Sequence, residues 1–149
     1  MKILHPTDFS ECAKQAEAAA VDLVGKLDGE LVLFLALVET PLYGEGLINV
    51  QQVQAVYDAQ RKWAEETLEA RAGELRQRGI KASWRLQAGV PFEEIVKVAE
   101  EERVDMIVMG THGRSGLNRV LLGSVAERVV RLGPCPVLTV RQVMPGASR

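Results

Sequence analysis

Apolar positions along this chain fall into two kinds of run, and the two alternate. Residues 31–38 (LVLFLALV) are apolar without a break. An uninterrupted run of that length suits a strand covered on both faces, as in a parallel sheet. Ile3 and Leu4 form a shorter run that Pro6 stops. Ala82, Trp84, Leu86 and Ala88 alternate with Ser83, Arg85 and Gln87, the pattern of a half-exposed edge strand. Met106, Ile107, Val108 and Met109 predict a fourth strand closed by Gly110. Residues 136–140 (PVLTV) predict a fifth, with proline acceptable at its start.

The intervening stretches carry the helical period. Ser10 suits the N-cap of a helix with Ala13, Ala16, Ala20, Leu23, Val24 and Leu27 on one face. Val53, Tyr57, Ala64, Leu68 and Leu75 mark a longer helix ending near Gly79. Pro91 fits the first turn of a third, with Phe92, Ile95, Val96 and Ala99 inward and Glu93, Glu94, Lys97 and Glu100 outward. A fourth starts at Ser124, where Ser124-Val125-Ala126-Glu127 reads as a capping box, and stops at Gly133-Pro134. The order β-α-β-α-β-α-β-α-β predicts an α/β fold, a single-domain open five-stranded parallel sheet with helices on both faces. Residues 1–141 make up the domain, and residues 142–149 read as a flexible tail.

Composition narrows the function classes. A chain of 149 residues, 47% of them hydrophobic, needs neither disulfides nor metal to hold a core. Eighteen Lys and Arg against twenty Asp and Glu give a net charge of −2. That balance argues against a partner in nucleic acid, which calls for phosphate neutralisation. No apolar window is long enough for a membrane span, and the first residues lack the apolar stretch of a secretory leader. Cys12 and Cys135 lie too far apart for a zinc module or a disulfide framework, so a reducing, cytoplasmic setting is expected.

Two long connections stand out: residues 39–49 (ETPLYGEGLIN) and residues 110–123. In an open parallel sheet, ligands bind beyond the carboxyl ends of the strands, where the winding reverses. The second connection begins Gly110-Thr111-His112-Gly113-Arg114-Ser115-Gly116 and ends Gly123-Ser124, which opens a helix. Glycines that admit unusual backbone conformations and close approach, a helix N-terminus, the cations Arg114 and Arg119 and the Ser124 hydroxyl together describe a polyphosphate cradle. Neither the dinucleotide fingerprint nor the P-loop motif occurs.

After the first strand come Pro6, Thr7 and Asp8. Two readings of Asp8 stand: a turn residue before the Ser10 cap, or a carboxylate that meets a ribose, a base or a phosphate-bridging metal. His112 is either a phosphate-polarising group or an exposed loop residue. Trp63 and Trp84 read as packing residues and not as a base-stacking platform, since no aromatic-basic interleaving surrounds them. Residues 100–102 (EEE) read as a solvated helix end.

Gly110-x2-Gly113-x9-Gly123-Ser124 resembles the nucleotide-binding motif of universal stress proteins, in their ATP-binding subgroup. Lys2-Ile3-Leu4 with Pro6-Thr7-Asp8-Phe9-Ser10 is similar to that family's first strand and turn. So are Gly89-Val90-Pro91 before the third helix and Pro136-Val137-Leu138 in the last strand. The resemblance implies a Rossmann-like sheet of strand order 3-2-1-4-5 and an adenine nucleotide, ATP with Mg or Mn, as ligand. It implies nucleoside contacts from Pro6, Thr7 and Asp8 and an adenine contact from the backbone at Leu37. Ribose and phosphate contacts are implied for Met109, Gly110, His112, Gly113, Arg114, Gly123, Ser124 and Val125. It also implies a homodimer through the last strand, where Val137, Leu138 and Val140 would otherwise leave an apolar edge open.

The expected function is therefore a nucleotide-dependent stress-response regulator, at most a slow ATPase. No residue stands out to orient a nucleophile. The alternatives are a small adenine-nucleotide-dependent transferase and a purely structural partner-binding protein.

Overall fold

The computed structural model describes residues 1–39, 49–113 and 121–143. The order within them is β1 (Lys2–Pro6), α1 (Glu11–Lys26), β2 (Glu30–Leu37), α2 (Val50–Gln77), β3 (Lys81–Ala88), α3 (Pro91–Glu101), β4 (Met106–Gly110), α4 (Ser124–Leu132) and β5 (Val137–Val140). The strands form one parallel sheet in the order β3-β2-β1-β4-β5. Arg114, Ser115, Gly116, Arg119, all but the ends of the 39–49 connection, and the tail from residue 144 lie outside the described residues.

The apolar run of β2 shows why the sheet is buried on both sides. Leu31, Leu33 and Leu35 pack with Ile3 and Val108 against Ala20 and Val24 of α1 and Ala64, Leu68 and Leu75 of α2. Val32 and Phe34 face the other way, with Leu4, Ile107 and Met109, onto Ile95 and Val98 of α3 and Ala126 and Val129 of α4. Each full burial of such a side chain is worth about 1.5–3 kcal/mol. β3 forms an edge, as its alternation predicts, with Ala82 buried and Ser83 exposed.

Helix ends follow their local chemistry. Ser10 caps α1, its hydroxyl accepting the Ala13 N–H at 3.2 Å. α2 closes in a Schellman motif: Gly79 N–H donates to Arg76 O and Ile80 N–H to Leu75 O, both at 3.0 Å. That turn places Gly79 at φ +82°, where a side chain would be strained.

Five expectations are corrected. Leu27 is the C-cap of α1 and half exposed, while Cys12 and Glu17 take buried places on that helix. Glu94 is largely covered, because its side chain lies over Gly89, which has no Cβ to exclude it. Glu101 and Glu102 are not free in solvent: Arg85 holds both and Lys2 holds Glu102. Trp63 is 48% exposed and meets Phe9 edge-on at 6.0 Å. The fourth helix starts at Ser124 as expected, but its cap is Gly123, and among the described residues no side chain caps it. Beyond β5 the chain is tied down first, since Val143 N–H donates to Gln15 Oε1 at 2.8 Å.

Candidate functional site

Winding runs from β1 outward through β2 to β3, then returns across β1 to β4 and β5. The reversal lies between β1 and β4, and a cavity of about 590 Å³ opens beyond the carboxyl ends of those strands. This volume lies within the range of about 300–1,000 Å³ common for small-molecule sites. Pro6, Thr7, Asp8, Met109, Gly110, His112, Gly113, Gly123, Ser124 and Val125 all line it. Thus the structure brings together the sequence-predicted residues of the first and fourth strand ends.

The first wall is the turn after β1. Thr7 N–H still donates to Phe34 O at 2.8 Å, extending the ladder by one bond past Pro6. The chain then turns on its own side chains. Thr7 Oγ1 accepts the Phe9 N–H at 3.0 Å, and Asp8 Oδ1 accepts the Ser10 N–H at 2.9 Å. Phe9 sits at φ +59°, a strained conformation for a non-glycine residue. These bonds fix the Asp8 carboxyl group at the cavity rim.

The second wall is the β4–α4 connection, and its glycines answer to space. None of Gly110, Gly113 and Gly123 has a left-handed φ, so the conformational part of the sequence expectation is corrected. A Cβ on Gly110 would lie 2.8 Å from Cys12 Sγ and 3.2 Å from the Cys12 backbone. On Gly113 it would lie 2.8 Å from Asp8 Oδ2, and on Gly123 2.8 Å from Thr111 O. Gly123 N–H donates to that same Thr111 carbonyl at 2.8 Å, pinning the two ends of the connection together.

Its cap position is Gly123, which has no side chain to cap it, and α4 presents its leading N–H groups and positive dipole end where Gly123, Ser124, Val125 and Ala126 line the cavity. The Ser124 side chain stands inside the first turn and makes no cap.

Leu37 is placed elsewhere. Its carbonyl accepts the Gly89 N–H at 3.0 Å and so points to β3, and it does not line the cavity. A strand's backbone groups alternate sides, so Phe34 and Ala36 face β1. Phe34 O is taken by Thr7, whereas β1 has ended by the level of Ala36, and Ala36 and Val38 line the cavity. Sequence reasoning missed these two because strand phase depends on pairing. It also passed over Thr111, whose hydroxyl lies 3.0 Å from His112 Nδ1, although the residue sits inside the glycine motif.

Below the turn, His5 is fully buried and its Nδ1 lies 2.8 Å from Val108 O. A carbonyl only accepts, so Nδ1 carries the proton. Burial pushes this imidazole below its ordinary value, against the opposing pull of the Val108 carbonyl, Glu17 and Asp8. Among the described residues no group of three or more His, Cys, Asp or Glu is placed to hold a metal. Asp8 is the carboxylate among the described residues lining the cavity.

A family model described as the universal stress protein family matches residues 1–141. Universal stress protein MJ0531 of Methanocaldococcus jannaschii is 35% identical over 95% of this chain and 82% of its own length. MJ0577 of the same organism is 36% identical, covering 95% and 94%. The solved structure of MJ0577 superimposes with a TM-score of 0.83, covering 97% of each chain. A universal stress protein family protein from Arabidopsis thaliana, solved with AMP bound, has a TM-score of 0.69 at 18% identity over 99% of this chain and 97% of its own, a likeness of fold. The chain belongs to the universal stress protein family.

Proposed function

We propose that the chain is an ATP-binding regulatory protein, a stress-response switch that works through its nucleotide-bound state and hydrolyses ATP slowly at most. One observation carries this reading. The uncapped N-terminus of α4, three space-limited glycines and the fixed Asp8 carboxyl group converge on one cavity at the winding reversal. The AMP held by a protein of this fold supports an adenine nucleotide as the ligand class.

The residues fit the group by their chemistry. N–H donors at Ser124 and Val125, beside the bare backbone of Gly123, suit phosphate oxygens. Arg114 adds charge to that end by its place in the motif. The turn at Pro6, Thr7 and Asp8 suits a nucleoside's hydroxyl donors. Backbone groups at the end of β2, at Ala36 more than at Leu37, suit a base edge. Mg or Mn would arrive with the phosphates, and Asp8 is the carboxylate among the described residues lining the cavity. A bound metal would neutralise phosphate charge. His112 and Met109 complete the wall around the phosphates and ribose.

The reading includes a homodimer in the cytoplasm. β5 is a sheet edge and Leu138 on it is 40% exposed. Both cysteines are unbridged, and among the described residues no helix is long and apolar enough to cross a membrane.

Denaturing the purified protein and identifying the nucleotide released tests the ligand. An adenine nucleotide is expected, and added ATP should stabilise the emptied chain by about 2.7 kcal/mol at a hundredfold excess over the dissociation constant. No released nucleotide, together with no stabilisation by ATP, ADP or AMP, would overturn the reading.

A further inference from the structure

Thr111 is the residue through which the β4 end holds its neighbours. Its N–H donates to Val140 O at 3.0 Å, and its carbonyl accepts from Gly123 at 2.8 Å. Its side chain is buried, 3.0 Å from His112 Nδ1 and 3.9 Å from Cys12 Sγ. The direction of the Thr111–His112 bond follows from counting protons. A buried hydroxyl needs an acceptor for its hydrogen. If His112 Nδ1 donated to Thr111, the hydroxyl hydrogen would be left with Cys12 Sγ, a weak acceptor at 3.9 Å. Cys12 itself donates to Val140 O at 3.5 Å. The better arrangement sends the Thr111 hydrogen to the Nδ1 lone pair of His112.

That assignment fixes the other ring nitrogen. A neutral imidazole that accepts at Nδ1 must carry its proton at Nε2. Carbon Cδ2, bonded to Nε2, lies 3.8 Å from the position a Gly123 Cβ would occupy, so this edge of the ring lies beside the first turn of α4. We propose that Thr111 is a positioning residue: its hydroxyl holds His112 as the Nε2–H tautomer, a neutral donor added to the N–H groups of α4 for an anionic ligand. The ligand part rests on the nucleotide reading above. A ring with its proton at Nε2 offers no lone pair there to draw a proton from water. The same bond therefore favours retaining a polyphosphate over hydrolysing it.

Long-range ¹H–¹⁵N correlation spectra of the nucleotide-free protein at pH 8, with His112 assigned through His112→Gln, read the tautomer directly. The wild type should show His112 protonated at Nε2. Thr111→Val should shift the ring toward a mixture and weaken ATP binding about three- to tenfold, the range of one lost hydrogen bond. Thr111→Ser should restore both. The other amide resonances, compared across the three proteins, report whether each remains folded. A wild-type Nδ1–H signature, or a tautomer unchanged in folded Thr111→Val, would overturn the proposal. If Thr111→Val does not fold, the wild-type and Thr111→Ser spectra still decide it. An Nε2–H signature in a wild type that binds no ATP would overturn the ligand part and the nucleotide reading together, while supporting the role of Thr111 in setting the tautomer.

Discussion

The two ends of the sheet treat helix charge in opposite ways. At the amino end, α3 finishes with Glu101 and then Glu102 and has no basic residue in its last turn, although a helix C-terminus already carries negative charge. The chain answers that charge itself. Lys2 Nζ lies 2.6 Å from Glu102, and Arg85 lies 2.5 Å from Glu102 and 2.8 Å from Glu101. The Lys2 hydrogen bond, with Arg85 beside it, holds the Glu102 carboxyl below its ordinary value. At the carboxyl end, α4 begins with positive dipole charge, and among the described residues no side chain caps it. There the cavity opens. The same fold thus completes its electrostatics from its own residues at the amino end and leaves them open where a ligand would complete them.

Breaking the carboxyl end at its tightest point should cost most. Gly110→Ala drives a methyl group into Cys12, and part of the obstacle is backbone of α1, which cannot swing aside. A loss of about 3 kcal/mol in urea unfolding is expected, the upper part of the overpacking range. An unfolding midpoint equal to the wild type's would mean that α1 and β4 are not in register as described.

Gly113→Val separates site from scaffold. Among the described residues its Cβ would meet Asp8 Oδ2, the end of a side chain and not backbone. The unliganded protein should unfold near the wild-type midpoint. The ATP stabilisation of about 2.7 kcal/mol at a hundredfold excess should vanish in thermal melts. A variant stabilised as strongly as the wild type would remove the phosphate role from this glycine.

The pH dependence should come from beneath the site. Burial lowers the His5 pKa, so the folded chain binds fewer protons than the unfolded one wherever an exposed imidazole is charged. The stability linked to this group is complete above the unfolded value of about 6.5 and is lost as pH falls toward the folded value. His5→Asn can keep a donor toward Val108 without titrating. Its urea midpoint should fall less between pH 7.5 and 5.5 than that of the wild type. Equal falls would assign the acid sensitivity to other groups.

Least affected should be the self-completed end. Lys2→Ala removes the cation on Glu102 at a partly exposed pair, where Arg85 remains. A loss of about 0.5–1 kcal/mol and an unchanged ATP affinity are expected, read by urea titration and calorimetry. A weakened affinity would show that the two ends are coupled.

Much of this division was legible in the sequence. The unbroken run at residues 31–38 requires cover on both faces, and the positions of the glycines point to the cavity they line. What escaped depended on partners from distant parts of the chain. Gly110 and Gly113 looked like glycines of conformation, but what limits them is contact with Cys12 and Asp8. Ser124 looked like a cap, but it is the first residue of α4, and Gly123 holds the cap position. Leu37 and Ala36 cannot be told apart until the pairing of β2 with β1 and β3 fixes which way each backbone group points. The burial of Glu17 likewise depends on a distant partner, Arg71 of α2.

The central claim concerns which end is open, and titrating ¹⁵N-labelled protein with ATP and Mg tests it most directly. Shifts should concentrate at residues 7–8, 36–38, 109–113 and 123–126, while Lys2, Arg85, Glu101 and Glu102 stay still. Shifts gathered at the amino end, or none at saturating ATP, would contradict the account.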